Sequence, residues 1–166
     1  MIFSKEFFDL QYSFAERVNA LSGIPLERAL FEYTNLYVRF GLGREFNIAQ
    51  ETWQAYVTEL FEHRRPTVGE DVPVVGVSWL YNLEAYRRLF PPEYGSSALP
   101  IRAGFRSMPP WGQFLDRHGK VRESMTRPFL RSLGEQSSLA DIDQCFPLPL
   151  RTARAAAAEF YQFYEI

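Results

Sequence analysis

The sequence predicts an α+β protein, and three observations predict it. Residues 1–65 carry apolar side chains at helical spacing, and residues 66–73 form a polar loop with two prolines and a glycine. Beyond that loop the pattern changes to short apolar runs broken by Pro and Gly, ending in an alanine-rich stretch that favours helix. The expected architecture is a three-helix N-terminal unit, 1–65, packed on a small mixed sheet with flanking helices, 74–166, as one compact domain overall. A chain of 166 residues is long enough for such a core with a helical extension.

Ser4 caps a first helix with Phe7, Leu10, Phe14, Val18 and Leu21 on one stripe, and Gly23 stops it. Pro25 suits the first turn of a second helix, whose stripe runs Leu26, Ala29, Leu30, Tyr33, Leu36, Tyr37 and Phe40 before Gly41 and Gly43. The link between them is tight, so the two are expected as an antiparallel pair. A third helical pattern, Trp53, Tyr56, Val57, Leu60 and Phe61, ends in Arg64, Arg65 and Pro66.

The stretch Val74 to Pro91, VVGVSWLYNLEAYRRLFP, organises the remainder. Its apolar opening reads as a buried strand, and Asn82 reads as the N-cap of a helix over Leu83 to Leu89 that Pro91 and Pro92 end. A strand feeding a capped helix leaves backbone donors free at one point, which suits an anion. Ile101 to Arg106 and Trp111 to Leu115 read as further strands, and DRHGKV as a turn with Gly119 at a positive backbone angle. Ser124 caps a helix holding Pro128 in its first turn, with Phe129, Leu130 and Leu133 on its buried side. Ser138 begins a short helix through Cys145, closed by Pro147. The last segment is read as strand to about Ala155, then terminal helix.

Composition bounds the function classes. A globular balance of 46% apolar and 23% charged residues, with 15 Phe, 9 Tyr and 3 Trp, speaks for a packed aromatic core or an aromatic-lined cleft. One cysteine and two histidines exclude an internal disulfide and a Cys/His zinc cluster. The N-terminus does not read as a signal peptide and no stretch reads as a membrane span, so a soluble, cytoplasmic protein is expected. Residues 74–134 are net basic between acidic flanks, which suits a small anionic ligand better than nucleic acid.

Three places invite chemistry. RFGLGRE brings Gly41 and Gly43 together, yet completes no P-loop and no dinucleotide fingerprint, and reads as a helix stop. Cys145 sits on the apolar side of its helix and reads as a buried thiol, while His118 reads as a solvated turn residue. Ser78, Trp79 and Asn82 gather at the strand-to-helix junction and form the leading ligand site; the plainer reading is that Asn82 caps and Trp79 packs.

The phrases VSWLYNLEAYRRLFPPEY, WGQFLDRHGKVRESMTRPFLRSL and CFPLPLRTARAAAAEFYQFYEI resemble the C-terminal part of a group of uncharacterised bacterial proteins. That part is similar to a diverged acyltransferase region of the GNAT superfamily. The phrase LSGIPLERALFEYTNLYVRFGLGREF resembles the start of the same group. Relative to the group, a block of strand and helix is missing between Arg65 and Val74, and VRFGLG carries Val38 where the superfamily's pyrophosphate loop has a basic or amide residue. The resemblance implies a partial GNAT-like fold and an acyltransferase-like protein binding an acyl thioester, with acyl-CoA as cofactor. In that reading Arg87, Arg88 or Arg102 meets phosphate and Tyr81 serves as general acid. The alternative is a non-enzymatic interaction or self-association module, its aromatic surface binding a protein partner or a second copy in a homodimer.

Overall fold

The computed structural model describes residues 4–30, 32–33, 58–66, 69–102, 110–116 and 118–166. Helices and an antiparallel sheet give the α+β class. By their contacts the described residues of Met1–Asn47 and Arg102–Pro149 form one compact unit, and those of Ile48–Ile101 and Leu150–Ile166 form another. This grouping differs from the sequence division at 66–73.

The first unit opens with α1, Lys5–Ser22, which buries Phe7, Leu10, Phe14 and Val18 as their spacing predicts. Gly23 ends it in the left-handed region (φ 70°), where its N–H bonds the Asn19 carbonyl at 2.8 Å. Residues 26–30 and 32–33 are helical and add Ala29 and Tyr33 to the same core. The predicted positions Leu36, Tyr37, Phe40, Gly41, Gly43, Trp53, Tyr56 and Val57 lie outside the described residues, as does most of the strand expected at 101–106.

The strand expected over Trp111 to Leu115 is instead a 3-10 turn, Trp111–Phe114. Residues three apart eclipse in that geometry, so Trp111 and Phe114 both enter the core, whereas strand alternation would turn them to opposite faces. The following turn is as predicted: Gly119 has φ 77°, Leu115 bridges Val121, and Asp116 Oδ1 accepts from the His118 and Lys120 amides at 2.7 and 2.9 Å. The helix α4, Glu123–Glu135, begins before Ser124, so Pro128 lies in its interior and not in its first turn. The missing Pro128 N–H and its ring cost about 3 kcal/mol, and burial of Phe129 and Leu133 at about 1.5–3 kcal/mol each offsets that. A second 3-10 segment, Leu139–Cys145, starts where Ser138 Oγ accepts from the Ala140 amide at 3.2 Å.

In the second unit, β1 (Pro73–Ser78) runs into a 3-10 turn, Trp79–Asn82. Two short helices follow, α2 (Glu84–Arg87) and α3 (Pro92–Ser96), the latter with Pro92 at its first position, where no N–H is needed. Then come β2 (Leu99–Pro100), β3 (Arg151–Ala156) and α5 (Ala157–Tyr164). The strand-to-helix boundary is within a residue of that predicted. Sheet order is β1-β3-β2 with both pairings antiparallel, which corrects the expected mixed sheet.

One face of this sheet is covered by Tyr81, Phe90, Tyr94, Phe160 and Tyr164. Phe61 stacks on Phe160 with centroids 4.8 Å apart. The helical residues 58–64 therefore serve the second unit's core, not the three-helix N-terminal unit expected, because Phe61 finds an aromatic face there.

Candidate functional site

The side chains singled out in the sequence divide by what already occupies them. Asn82 does not cap a helix. Its Oδ1 accepts from Arg151 Nε at 2.7 Å and its Nδ2 donates to the Trp79 carbonyl at 2.6 Å, while Arg151 Nη1 reaches the Ala98 carbonyl at 2.9 Å. Asn82 thus ties the 3-10 turn to β3. The turn's own cap is Ser78, whose Oγ accepts from the Leu80 amide at 3.1 Å, and Trp79 is half-buried beside it. The helix that follows, α2, is a single turn preceded by Leu83, which offers no side-chain cap. So short a helix sums little dipole, and the anion site expected at its amino end loses its physical basis.

Tyr81, the predicted acid, is buried at 4% exposure, and its hydroxyl shares a 2.7 Å hydrogen bond with the Tyr94 hydroxyl. Both oxygens lie over Gly76, where an added Cβ would meet each at 2.2 Å. Strand β1 has glycine at the point where the two hydroxyls need the room. Burial first, then the bond to Tyr94, pushes the Tyr81 pKa far above its ordinary value. Burial likewise pushes Tyr86 up to about 12, and raises Tyr94. The Tyr81 hydroxyl is thus enclosed, already bonded to Tyr94, and held in its neutral form by burial.

Two of the three arginines have acidic partners. Arg88 pairs with Glu84 one helical turn away, and Arg102, in the first unit, pairs with Asp141 at 2.9 Å. Arg87 is half-buried, with its Nε buried and unbonded among the described residues. Cys145 is the buried thiol its position predicts, donating to the Ile142 carbonyl at 2.8 Å, and burial raises its pKa. A shallow depression of about 430 Å³ beside α5 is lined by Arg65, Glu70, Tyr161, Gln162 and Glu165. Its carboxylates outnumber its one arginine, and Arg65 already lies over the Tyr161 ring at 5.3 Å, so it does not suit an anion.

The feature the sequence reading missed is the outer edge of β1. The Ala157 amide bonds the Val72 carbonyl at 2.9 Å, and with the register Val74↔Ala155, Gly76↔Ala153 and Ser78↔Arg151 this fixes the phase of the ladder. Even-numbered residues of β1 bond β3. Odd-numbered ones turn their backbone groups away, leaving the Val75 and Val77 amides and the Pro73, Val75 and Val77 carbonyls on the outer side. On β3 the bond from the Ile101 amide to the Leu150 carbonyl and from the Arg154 amide to Ser97 Oγ agree with this phase, because they place Thr152 and Arg154 toward β2. Among the described residues nothing pairs with that outer edge. Val75 is 59% exposed and Val72 46%, and no charged residue lies between Val72 and Trp79. The signal available in the sequence was that same uncharged run with proline only at its start.

Comparison with protein-family models, with curated proteins and with solved structures returns no match.

Proposed function

We propose that the chain is a non-enzymatic interaction module whose second unit takes up an extended segment along the outer edge of β1. The observation that carries this reading is the row of outward backbone donors and acceptors on an uncharged, valine-bearing strand. Edge strands left unpaired are ordinarily blunted by lysines, bulges or a covering element, and among the described residues β1 has only Pro73 at one end. Main-chain pairing would supply affinity, and the exposed Val75 side chain an apolar contact on one face. The acyl-transfer reading has less support: the Tyr81 hydroxyl is closed off, and β1 and β3 keep continuous antiparallel register without the splay a cofactor would need. Among the described residues no helix is long and apolar enough to cross a membrane.

A Val75→Pro variant tests the edge, since the N–H it removes bonds nothing among the described residues. A random-peptide library displayed on phage is expected to yield binders to the parent protein that Val75→Pro no longer holds. No enrichment on the parent, or binders indifferent to the substitution, would overturn the reading.

A further inference from the structure

Resting on that edge reading, we infer that the strand taken up is β1 of a second copy, paired antiparallel about a twofold axis through Val75. Only odd-numbered residues face outward, so a symmetric antiparallel pairing must bring odd onto odd. Centring it on Val75 sets Val75 against its symmetry mate and Pro73 against Val77 of the other copy. Every outward amide then finds a carbonyl: Val75 and its mate exchange bonds, and each Val77 amide reaches a Pro73 carbonyl. The one amide missing from the row is that of Pro73, and in this register its absence leaves only the Val77 carbonyl without a donor. Centring on Val77 instead would set Val75 against Trp79, which has left the strand for a 3-10 turn. Val75 is thus the centre that uses the whole of β1.

Charge chooses the direction. Glu70 and Asp71 precede the strand and are exposed. Parallel pairing of two copies would lay these acids side by side, and like charges at neighbouring strand positions repel. The antiparallel twofold sends them to opposite ends of the ribbon, facing Leu80 and Trp79 of the other copy, and the paired span between them holds no charge at all. On the open face the two Val75 side chains, each 59% exposed, meet at the axis and shield one another from water.

Sedimentation equilibrium of the full chain over a wide concentration range reads the assembly, and a cysteine pair reads the register. Val75→Cys places two thiols across the axis with Cα atoms about 5.5 Å apart. Leu99→Cys, on β2, places its thiols five strand spacings apart, about 24 Å. The expected results are a mass rising from one chain to two in the parent, a dissociation constant at least tenfold higher in Val75→Pro, and efficient crosslinking by a short bis-maleimide in Val75→Cys but not in Leu99→Cys. A parent that stays a single chain throughout, or a dimer indifferent to Val75→Pro, overturns the inference. If the parent stays single while the peptide library still selects binders that Val75→Pro abolishes, the second copy is wrong and the edge reading stands; if both fail, both fall.

Discussion

The interiors of the two units are both aromatic and are built on opposite principles. In the first, rings meet rings: Phe14 lies edge-on to Trp111 and Phe146 with centroids 5.4 and 5.5 Å away, and Phe114 meets Phe129 at 4.8 Å. Two of the polar side chains admitted there hand their polar atoms to backbone. Trp111 Nε1 donates to the Tyr33 carbonyl at 3.0 Å, and the fully buried Gln113 bridges Pro110 and Leu148 through both ends of its amide. In the second unit two of the rings, Tyr81 and Tyr94, carry hydroxyls that meet each other, over a strand cut down to glycine to admit them. The first core rests on ring contacts and on particular bonds from Trp111 and Gln113 to backbone; the second depends on a particular absence, the side chain missing at Gly76.

The sharpest break of that comparison is in the first unit. Phe14 is fully buried and meets the rings of Tyr33, Trp111, Phe129 and Phe146, so Phe14→Ala is expected to destabilise by about 3–5 kcal/mol, read as a fall in the urea midpoint. In the second unit the corresponding break is an addition. Gly76→Ala drives a methyl into both hydroxyl oxygens, and overpacking of this kind costs about 1–3 kcal/mol. The double change Tyr81→Phe, Tyr94→Phe removes both oxygens and is expected to restore much of the loss in the alanine background. Failure of that rescue would show that Gly76 is required for some reason other than the tyrosine pair.

The same difference explains what was legible in the sequence. Helix α1 and its Gly23 stop could be read because stripe and cap are local, and so could the passage from β3 to α5. WGQFL was misread because its apolar residues fit two periods, and only the requirement to bury both Trp111 and Phe114 selects the 3-10 turn. The destination of Phe61, the Tyr81–Tyr94 bond and the Asn82–Arg151 tie are meetings of residues far apart in the chain, which no window of sequence contains. The edge of β1 was half legible. An apolar run suggested burial on both faces, yet Gly76 supplies no side chain at the core position, so the alternation that exposes Val75 is hidden in a run that looks continuous.

Alkaline titration sharpens the contrast at lower amplitude. Tyr81, Tyr86 and Tyr94 all have raised pKa values, with burial the first cause in each. A group whose pKa is raised by folding contributes stability below its unfolded value, about 10 for tyrosine, and loses it as pH climbs toward the folded value. Urea midpoints are therefore expected to hold below pH 10 and to fall between about 10 and 12, the value to which Tyr86 is pushed. In the Tyr81→Phe, Tyr94→Phe protein that fall is expected to be shallower, since two of the three shifted groups are gone. A profile identical to the parent's would place the alkaline sensitivity elsewhere.

The smallest effect expected belongs to a residue the sequence made prominent. Arg88 stands in the most basic part of the organising stretch, yet it and its partner Glu84 are each 70% exposed on a helix of one turn. Solvent screens such a pair, and holding two long side chains in one geometry costs entropy that offsets most of the attraction. Arg88→Ala is accordingly expected to leave the urea midpoint unchanged within error and to leave the concentration dependence of the mass as it is in the parent. Arg151, by contrast, spends its guanidinium on Asn82 and on the Ala98 carbonyl. If Arg88→Ala weakened assembly, the basic helix and not the valine edge would be the docking element, because among the described residues the Arg88 side chain pairs with Glu84 and with nothing on β1.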